Sequence, residues 1–574
     1  MEFLPGNRIE PLIEAAETYP ALERAIAGAR QSVHMAYWTI DPGLPLCSDV
    51  LEGEATEGGP GRQATWLDLV AATVERGVVA RILIADFDPV LGREFHESAW
   101  AAYRRFLQIR EGLSEAARER LKVVCTRHEA RIGQSVRLLA QPVIRRHVKE
   151  SRDALRRTQA EEGRQAALDK LGNLPGLWRY IRPFGRGGFS LMPNAWPTVY
   201  PAAHHEKLCV VDDRLAFLGG LDIDAQRKDS QAHENDFAWH DVACRLEGPV
   251  ALAFARHFRR RWNAELDDYL AFLRKTRRPR SVAPLPTPGA VEKLPVELPA
   301  EDAPGEEASP GGPPSVPAPD GLVEAVPLRT ISAQMKSSFS RAPRNVVAEI
   351  RDGYLWAIGS AERLIYIETQ FLRSQTIVDA LVARARAVDT LEIIILLPLL
   401  PENLLRFSEP NGATTKGQEL QERAVHRLRR EVAERVGIFT LLRAGSGTID
   451  PEAEREKVVE SMIYIHAKTL VVDDRLALIG SANLNDRSLL CDTETAVLWR
   501  GEASARHYRE RLWRHALGLD VSGWEDGLLE RWKKIAHRNI RATAEERQGY
   551  VVPLSESAVE AFAESSLLVP PELV

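Results

Sequence analysis

A short pattern that occurs twice constrains this 574-residue chain more than any other feature. Residues 205–212 and 466–473 both read His-x-Lys-x4-Asp, and after the same six-residue gap each copy reaches a glycine, Gly219 or Gly480. Because alternate residues of an extended strand face the same side, each histidine is expected to project together with the lysine two positions later. Two such copies predict two similar halves with one active site between them.

Each copy of the pattern also predicts a β-hairpin. An apolar run after the lysine leads into the polar turn Asp-Asp-Arg and then into a second apolar run that ends at glycine. Gly219 and Gly220 mark a turn where the backbone can approach a ligand. Asp212 and Asp473 are predicted to belong to the catalytic set together with the histidines and lysines of the two patterns. As acidic turn residues they are expected to fix the hairpin rather than to touch a substrate.

Strands alternate with helices around both patterns, which indicates an α/β fold with a sheet covered on its faces. In the first half the predicted elements are helix 9–28, strand 33–38, helix 65–76, strand 78–86 and strand 122–126. In the second half they are strand 364–369, helix 376–387, strand 391–397, helix 418–435, strand 437–442 and tail helices 503–519 and 528–540. The repeated order supports duplicated domains.

The predicted domains are a first half (1–275), a linker (276–322) and a second half (323–574). The first strand precedes the motif by 172 residues in the first half and by 102 in the second, so the first half carries an insertion, at about 127–200. Within it, a charged segment at 143–171 is predicted to be helical.

Two other stretches allow less regular predictions. Aromatic and arginine side chains alternate over 177–184, which suggests a membrane-interface lip, a substrate wall or ordinary packing aromatics on a capping helix. The linker is rich in Pro, Gly, Ala and Glu and is predicted to be disordered or polyproline-like. Residues 551–574 are predicted to be weakly structured.

Composition narrows the class of protein. A formal net charge of -6 gives no global attraction to nucleic acid or to anionic membranes. The five cysteines are scattered, which argues against a disulfide framework or a zinc knuckle. The N-terminus lacks the features of a signal peptide, and the apolar run 391–400 is half the length that spans a bilayer. These features predict a cytoplasmic or peripherally membrane-associated protein, with signal-independent secretion left open.

The two His-Lys pairs suit phosphoryl or phosphatidyl transfer. One imidazole attacks phosphorus and the other gives a proton to the departing alkoxide, while the lysines neutralise the non-bridging oxygens. Ser481 and Asn483 follow the second glycine and are predicted to add hydrogen bonds to the phosphate. The predicted catalytic side chains are therefore His205, Lys207, His466 and Lys468.

A histidine used in this way needs an acceptor on its other ring nitrogen. Aligning the two halves places Asp241 opposite Glu494, and we predict that each serves one imidazole. Glu234 and Asp236 are rivals to Asp241. His204 and His240 are predicted to be structural histidines.

These residues resemble the phospholipase D superfamily, whose signature is the duplicated motif followed by Gly-Ser-x-Asn. Further stretches resemble its lipid-cleaving members: Trp38, Ile367-Glu368-Thr369-Gln370-Phe371, His204-His205-Glu206-Lys207, Gly219-Gly220-Leu221-Asp222, Trp239-His240-Asp241-Val242 and Asn485-Asp486-Arg487-Ser488. The resemblance implies two α/β sandwich halves, each a mixed sheet flanked by helices, related by a pseudo-twofold axis through one shared site.

The resemblance also implies a mechanism without a metal or other cofactor. His205 becomes the nucleophile and His466 the general acid, although the residues alone allow the roles to be exchanged. The implied partners are a phospholipid at a membrane surface and a water or alcohol acceptor, with no nucleic acid, and one chain is sufficient for the site. Gly220 and Asp222 depart from the Ser481 and Asn483 of the second motif.

Several functions remain as alternatives to a phospholipase D. A nuclease or another phosphodiesterase would use the same chemistry but needs a basic groove. A cardiolipin-synthase-like phosphatidyltransferase and a non-catalytic membrane module are less favoured. Hydrolysis and transfer to an alcohol are both compatible with the motifs.

Overall fold

The computed structural model describes residues 1–51, 63–184, 188–193, 197–298, 321–402, 412–443, 460–542 and 546–560. The strands are β1 (Leu4–Ile13), β2 (Ser32–Tyr37), β3 (Val79–Asp86), β4 (Leu121–Arg127), β5 (Ile181–Phe184), β6 (Gly188–Leu191), β7 (Leu208–Val211), β8 (Leu215–Gly219), β9 (Ala238–His240), β10 (Val242–Glu247), β11 (Val323–Ala333), β12 (Arg344–Ala348), β13 (Leu364–Thr369), β14 (Glu392–Leu396), β15 (Val436–Leu442), β16 (Met462–Ile465), β17 (Lys468–Val472), β18 (Leu476–Gly480), β19 (Glu494–Arg500) and β20 (Val551–Pro553). The α-helices are α1 (Glu14–Ala27), α2 (Trp66–Glu75), α3 (Arg93–Gln108), α4 (Glu115–Arg120), α5 (Gln134–Leu139), α6 (Gln141–Glu161), α7 (Arg164–Gly172), α8 (Pro249–Lys275), α9 (Glu349–Gly359), α10 (Gln375–Ala387), α11 (Gly412–Val432), α12 (Glu502–Leu517), α13 (Leu528–Arg541) and α14 (Glu556–Glu560).

Two sheet regions have the same strand order. The first runs β4-β3-β2-β7-β8-β10-β1 and the second β15-β14-β13-β17-β18-β19-β11. In each region the first three strands are parallel and the others pair antiparallel. This mixed sheet flanked by helices confirms the predicted α/β fold class, whereas the pseudo-twofold relation stays a prediction.

Strands from the two sequence halves also pair with each other. Strand β1 pairs with β11 around Leu4 and Ala325. Strand β9 runs parallel to β16, with His240 beside Ile465. The second pairing matters for the site because it carries Asp241 to His466.

The parallel strands set the location of the motif histidines. Strand β7 runs antiparallel to β2, and β17 runs antiparallel to β13. The residues just before β7 and β17 therefore lie at the edge where β2 and β13 end. We call this edge of the sheets the site edge.

Strand pairing overturns the first part of one predicted helix. Residues 9–28 were predicted to be helical throughout, but β1 extends to Ile13 and α1 begins only at Glu14. Residues 8–13 form a continuous antiparallel ladder with β10, and these long-range hydrogen bonds decide the conformation over the local apolar pattern. Residues 551–574 were predicted to be weakly structured, but residues 551–553 form β20, which pairs with β15. Residues 561–574 lie outside the described residues.

The linker prediction is tested only over 276–298, since 299–320 lies outside the described residues. Residues 276–298 contain neither helix nor strand, yet they are held on the first half. Trp262 Nε1 donates to the Glu292 carbonyl at 3.0 Å, and Asn263 exchanges two hydrogen bonds with Leu294. This part of the linker is therefore docked rather than disordered.

The insertion forms a small core of its own. Helices α6 and α7 confirm the predicted helical segment, and Ile144, Leu155, Leu171, Trp178 and Ile181 are buried together. The aromatic stretch 177–184 thus serves mainly for packing, with only its last residue, Phe184, well exposed. Among the described helices, none combines the length and apolar composition needed to cross a membrane.

Candidate active site

The two motif histidines are each held by a carboxylate from the other sequence half. His205 Nδ1 lies 2.9 and 3.1 Å from the two carboxylate oxygens of Glu494, and His466 Nδ1 lies 2.6 Å from Asp241 Oδ2. All four side chains are buried except His205, whose side chain is 15% exposed. The structure thus brings the two predicted acceptors to the two histidines, and it crosses the pairs between halves.

Backbone pairing explains the crossing. The His205 amide donates to the Thr493 carbonyl at 2.8 Å, directly before Glu494. The His466 amide donates to the His240 carbonyl at 2.7 Å, directly before Asp241. The backbone of each histidine is therefore hydrogen-bonded to a segment of the other half, and the next residue of that segment is the carboxylate that holds the imidazole.

The rivals of Asp241 are excluded by position. Glu234 and Asp236 are exposed, whereas Asp241 is fully buried against His466. Since only a buried carboxylate at hydrogen-bond distance holds an imidazole in one orientation, Asp241 is the acceptor.

The two motif lysines lie beside the histidines and point back to their own strands. Lys207 Nζ donates to the His205 carbonyl at 2.9 Å and lies 3.4 Å from Asp222 Oδ2. Lys468 Nζ donates to the His466 carbonyl. Both Nζ groups are almost completely buried, so an anion that enters the site meets hydrogen-bond donors that are already held in place.

The motif aspartates fasten the hairpins rather than line the site. Asp212 accepts backbone N–H bonds from residues 30–32 at 2.7–2.9 Å, and Asp473 accepts them from residues 362–364 at 2.7–2.8 Å. Each is followed by a second aspartate, and both residues of each pair have positive φ, as a type I′ turn requires. They lock the start of β2 and of β13 to the motif hairpin, as the sequence suggested.

Gly219 and Gly480 lie against neighbouring strands. A Cβ at Gly219 would lie 2.4 Å from the Val242 carbonyl oxygen, and one at Gly480 would lie 2.4 Å from the Ala496 Cβ. The space at both glycines is filled by the neighbouring strand. These two residues therefore allow close strand packing.

Gly220 has a direct role in the geometry of the site. A Cβ at this position would lie 2.0 Å from Asp241 Oδ1. At the matching position of the second half, Ser481 Oγ donates to Glu494 Oε2 at 2.6 Å. The shorter aspartate is thus paired with glycine and the longer glutamate with serine. Asn483 is buried, and its side-chain oxygen has no hydrogen-bond partner among the described residues.

We expect Gly220→Ala to lower kcat on a phosphodiester by on the order of 10²-fold, because the new methyl group displaces Asp241 from His466. Ser481→Ala is the matched variant: it adds no atoms and removes one hydrogen bond to Glu494, so its loss is smaller. Steady-state kinetics of both folded variants measures the difference. Equal activity of Gly220→Ala and wild type would contradict the assigned contact.

Burial sets the pKa values of the site. It lowers the pKa of both imidazoles well below the ordinary value, and the neighbouring lysines lower it further. Burial raises the pKa of Asp241 to about 7 and that of Glu494 to about 8, and it lowers the pKa of Lys468 to about 7. Burial therefore opposes charge on each of these groups, and an entering phosphate anion favours the protonated forms of the histidines and of Lys468.

We expect Lys468→Met to be more stable than wild type, with a gap that depends on pH. Because burial lowers the pKa of Lys468 in the folded state, protonation of this side chain favours the unfolded wild type. This cost to folding is absent above the unfolded pKa and grows as pH falls toward 7. The difference in unfolding free energy should be largest at pH 6 and narrow by about 2–3 kcal/mol by pH 9. Urea denaturation at both pH values measures it, and a gap that widens with pH would refute the assignment.

His240 belongs to a buried network that connects the two halves. Its Nδ1 lies 2.5 Å from Glu14 Oε1 and its Nε2 lies 2.8 Å from Glu368 Oε2. Although burial opposes the charged form, these carboxylates raise the pKa of His240 well above its ordinary value. Both ring nitrogens of His240 already have a carboxylate partner, so Glu14, His240 and nearby His515 fit a hydrogen-bond network better than a metal site.

Other residues of the site were not found by sequence reasoning. Glu14 has a φ of 64° and follows β1, in a stretch that was predicted to be helical. Arg227 is buried with its guanidinium carbon 3.9 Å from the Trp239 ring centroid, and that ring lies 5.1 Å from the ring of His466. Neither residue belongs to a motif, so no local signal identified them. The ring nitrogens of His204, which was predicted to be structural, contact Thr493 and Glu265.

Several known proteins are similar to this chain. Residues 354–516 match the family described as "Cardiolipin synthase, PLD-like domain". Phospholipase D1 of Saccharomyces cerevisiae is 27% identical over 435 residues, and phospholipase D1 of Schizosaccharomyces pombe is 27% identical over 453 residues. Each alignment covers 60% of this chain, but the matched regions span only 24% and 31% of those two relatives.

Among solved structures, the phosphatidylserine synthase of Haemophilus influenzae aligns over 93% of this chain and 94% of its own, with a TM-score of 0.48 and 12% sequence identity. The family match over residues 354–516 and the yeast relatives, together with the duplicated motif, show that the chain resembles the phospholipase D superfamily.

Proposed function

We propose that this protein is a phosphodiesterase of the phospholipase D type, which cleaves the head-group phosphodiester of glycerophospholipids and passes the phosphatidyl group to water or to an alcohol. The observation that carries the proposal is the pair of buried, crossed imidazole–carboxylate contacts, each beside a buried lysine. The yeast relatives named phospholipase D1 support the choice of a lipid diester.

In the first step His205 is the nucleophile. Its Nδ1 is held by Glu494, so Nε2 carries the lone pair that attacks phosphorus. The bond from phosphorus to the head-group oxygen breaks, and the alkoxide takes a proton from His466. Lys207 and Lys468 balance the negative charge on the non-bridging oxygens.

In the second step His466 acts as a base. It removes a proton from water or an alcohol, whose oxygen attacks phosphorus, and the bond from phosphorus to His205 Nε2 breaks. His205 is more exposed than His466, which supports the assignment of the nucleophile to His205. The domain limits 1–275, 276–322 and 323–574 and a cytoplasmic or peripheral location belong to the same proposal.

The direct test is head-group release from vesicles of phosphatidylcholine and phosphatidylethanolamine in EDTA, with and without a primary alcohol. We expect head-group release that does not depend on a divalent metal, and a phosphatidylalcohol as the product when alcohol is present. Cleavage of bis-p-nitrophenyl phosphate without release from any phospholipid would instead favour a nuclease or another diester as substrate.

A further inference from the structure

Two segments from opposite sequence halves meet beside the site. Residues 131–135 and 334–340 are joined by several hydrogen bonds: Gly133 N to Ser340 O at 2.8 Å, Ser135 N to Ser338 O at 2.9 Å and Arg131 N to Gln334 Oε1 at 2.6 Å. A Cβ at Gly133 would lie 2.3 Å from the Ser338 carbonyl oxygen, so the two backbones are in close contact. We call residues 131–149 and 334–341 the lip; the aromatic stretch 177–184 is not part of it.

The lip lies at the site edge of both sheets. Residue 131 follows the end of β4, and residue 334 follows the end of β11. Ile132 N donates to the carbonyl of Val199, six residues before His205. On the other side, Ser332 Oγ donates to the Cys491 carbonyl, three residues before Glu494. The lip is thus attached to the two segments that hold the nucleophile.

The lip carries several large apolar side chains that are exposed. They include Leu139, which is 82% exposed, and Phe339, which is 75% exposed. Leu138, Val143 and Met335 are also exposed. Isolated exposed apolar side chains are normal, but several large ones on two hydrogen-bonded segments mark an interaction surface.

Charge indicates what this surface meets. Residues 130–149 contain five Lys or Arg and no Asp or Glu, and residues 330–348 contain three Lys or Arg and no Asp or Glu. The whole chain has a net charge of -6, so this local excess is opposite to the average. Glu129 and Asp268 line the groove at the base of the lip, and Glu129 accepts a hydrogen bond from the Gln334 amide at 3.0 Å.

We propose that the lip is a docking surface for an anionic lipid bilayer: Leu138, Leu139, Val143, Met335 and Phe339 insert among the acyl chains, and the surrounding arginines and lysines contact lipid phosphates. The proposal rests on the proposed function for the choice of lipid over other polyanions. Large apolar side chains that stand out from a basic surface suit the boundary between head groups and acyl chains. Phe339 is the one aromatic side chain among these five, whereas single-stranded nucleic acid is bound by stacking successive bases on several aromatic side chains.

The position of the lip also gives the docking a purpose. A phospholipid must leave the bilayer far enough for its phosphate to reach His205 and His466. A surface that binds the bilayer at the site edge shortens this path. Docking then raises turnover on vesicles without changing the chemistry.

The test uses the full chain with His205→Ala, so that vesicle composition stays constant, and measures co-sedimentation with vesicles of phosphatidylcholine alone or mixed with phosphatidylglycerol. Leu139→Gln with Phe339→Gln should lower binding to the mixed vesicles at least tenfold. Arg145→Gln with Arg146→Gln should lower it by on the order of 10-fold or more, since each cation near an anionic surface contributes about fivefold.

Matched controls lie at the opposite edge of the sheets. Leu322 is 62% exposed but lies at the other end of β11, so Leu322→Gln should bind as the parent does. Arg386→Gln with Arg430→Gln removes two exposed cations that, like Arg146, pair with a surface glutamate, and it should also be neutral. Lip variants that bind as tightly as these controls would overturn the proposal.

Two further results separate this inference from the proposed function. With an intact His205, the lip variants should keep turnover of soluble bis-p-nitrophenyl phosphate and lose turnover of vesicles. Lip-dependent vesicle binding by a chain that cleaves no phospholipid would refute the proposed function and support the docking surface. Tighter binding of a DNA duplex than of vesicles, unaffected by Leu139→Gln with Phe339→Gln, would overturn the docking surface.

Discussion

His205→Ala and His466→Ala are each expected to lower kcat/KM on phosphatidylcholine by at least ~10³-fold. On an activated ester the two variants are expected to differ from each other in burst release of the leaving group. With bis-p-nitrophenyl phosphate the leaving group departs without a proton, so His466→Ala should still release one equivalent of nitrophenolate in a burst. The covalent phosphohistidine then accumulates, because no base activates water. His205→Ala should show no burst, since the nucleophile itself is missing.

Stopped-flow absorbance measures the burst, and acid-labile, alkali-stable phosphate on the protein identifies the intermediate. His537→Ala removes an exposed histidine of α13 and serves as the matched control, with wild-type kinetics expected. A burst in His205→Ala and none in His466→Ala would exchange the two roles. A burst in both variants would place the nucleophile elsewhere.

The local parts of this site were predictable because sequence spacing fixes local geometry. Each motif lysine lies beside its histidine, two positions away in sequence, and the Asp-Asp-Arg turns gave the motif hairpins. The two acceptors were also found, since aligning the halves requires only the order of elements. Asp241 and Glu494 lie in strand segments that follow equivalent hairpins.

Which acceptor holds which histidine was not predictable in the same way. It depends on the pairing of residues 203–205 with Thr493 and of β9 with β16, each across more than 200 residues of chain. No local propensity encodes such a pairing. The same limit explains β1, whose conformation is decided by its ladder with β10, and Glu14, whose role appears only when His240 is brought against it.

The crossed contacts make a prediction that sequence order alone would reverse. Glu494 lies in the second half but holds His205, so Glu494→Gln should have the defect of His205→Ala. When His205 Nε2 bonds to phosphorus its ring becomes positively charged, and the neutral amide of Gln stabilises that charge poorly. We expect a loss of about 10²–10⁴-fold in burst rate, comparable with the loss of an orienting carboxylate in other triads.

Asp241→Asn should instead have the defect of His466→Ala, because Asp241 holds the general acid. Its burst on bis-p-nitrophenyl phosphate should persist while turnover of phosphatidylcholine falls, since only the alkoxide leaving group needs the proton. Both substitutions keep size and shape, so thermal unfolding can verify that each variant is folded. If Asp241→Asn abolished the burst and Glu494→Gln preserved it, each carboxylate would serve the histidine of its own half, and the crossed arrangement would be refuted.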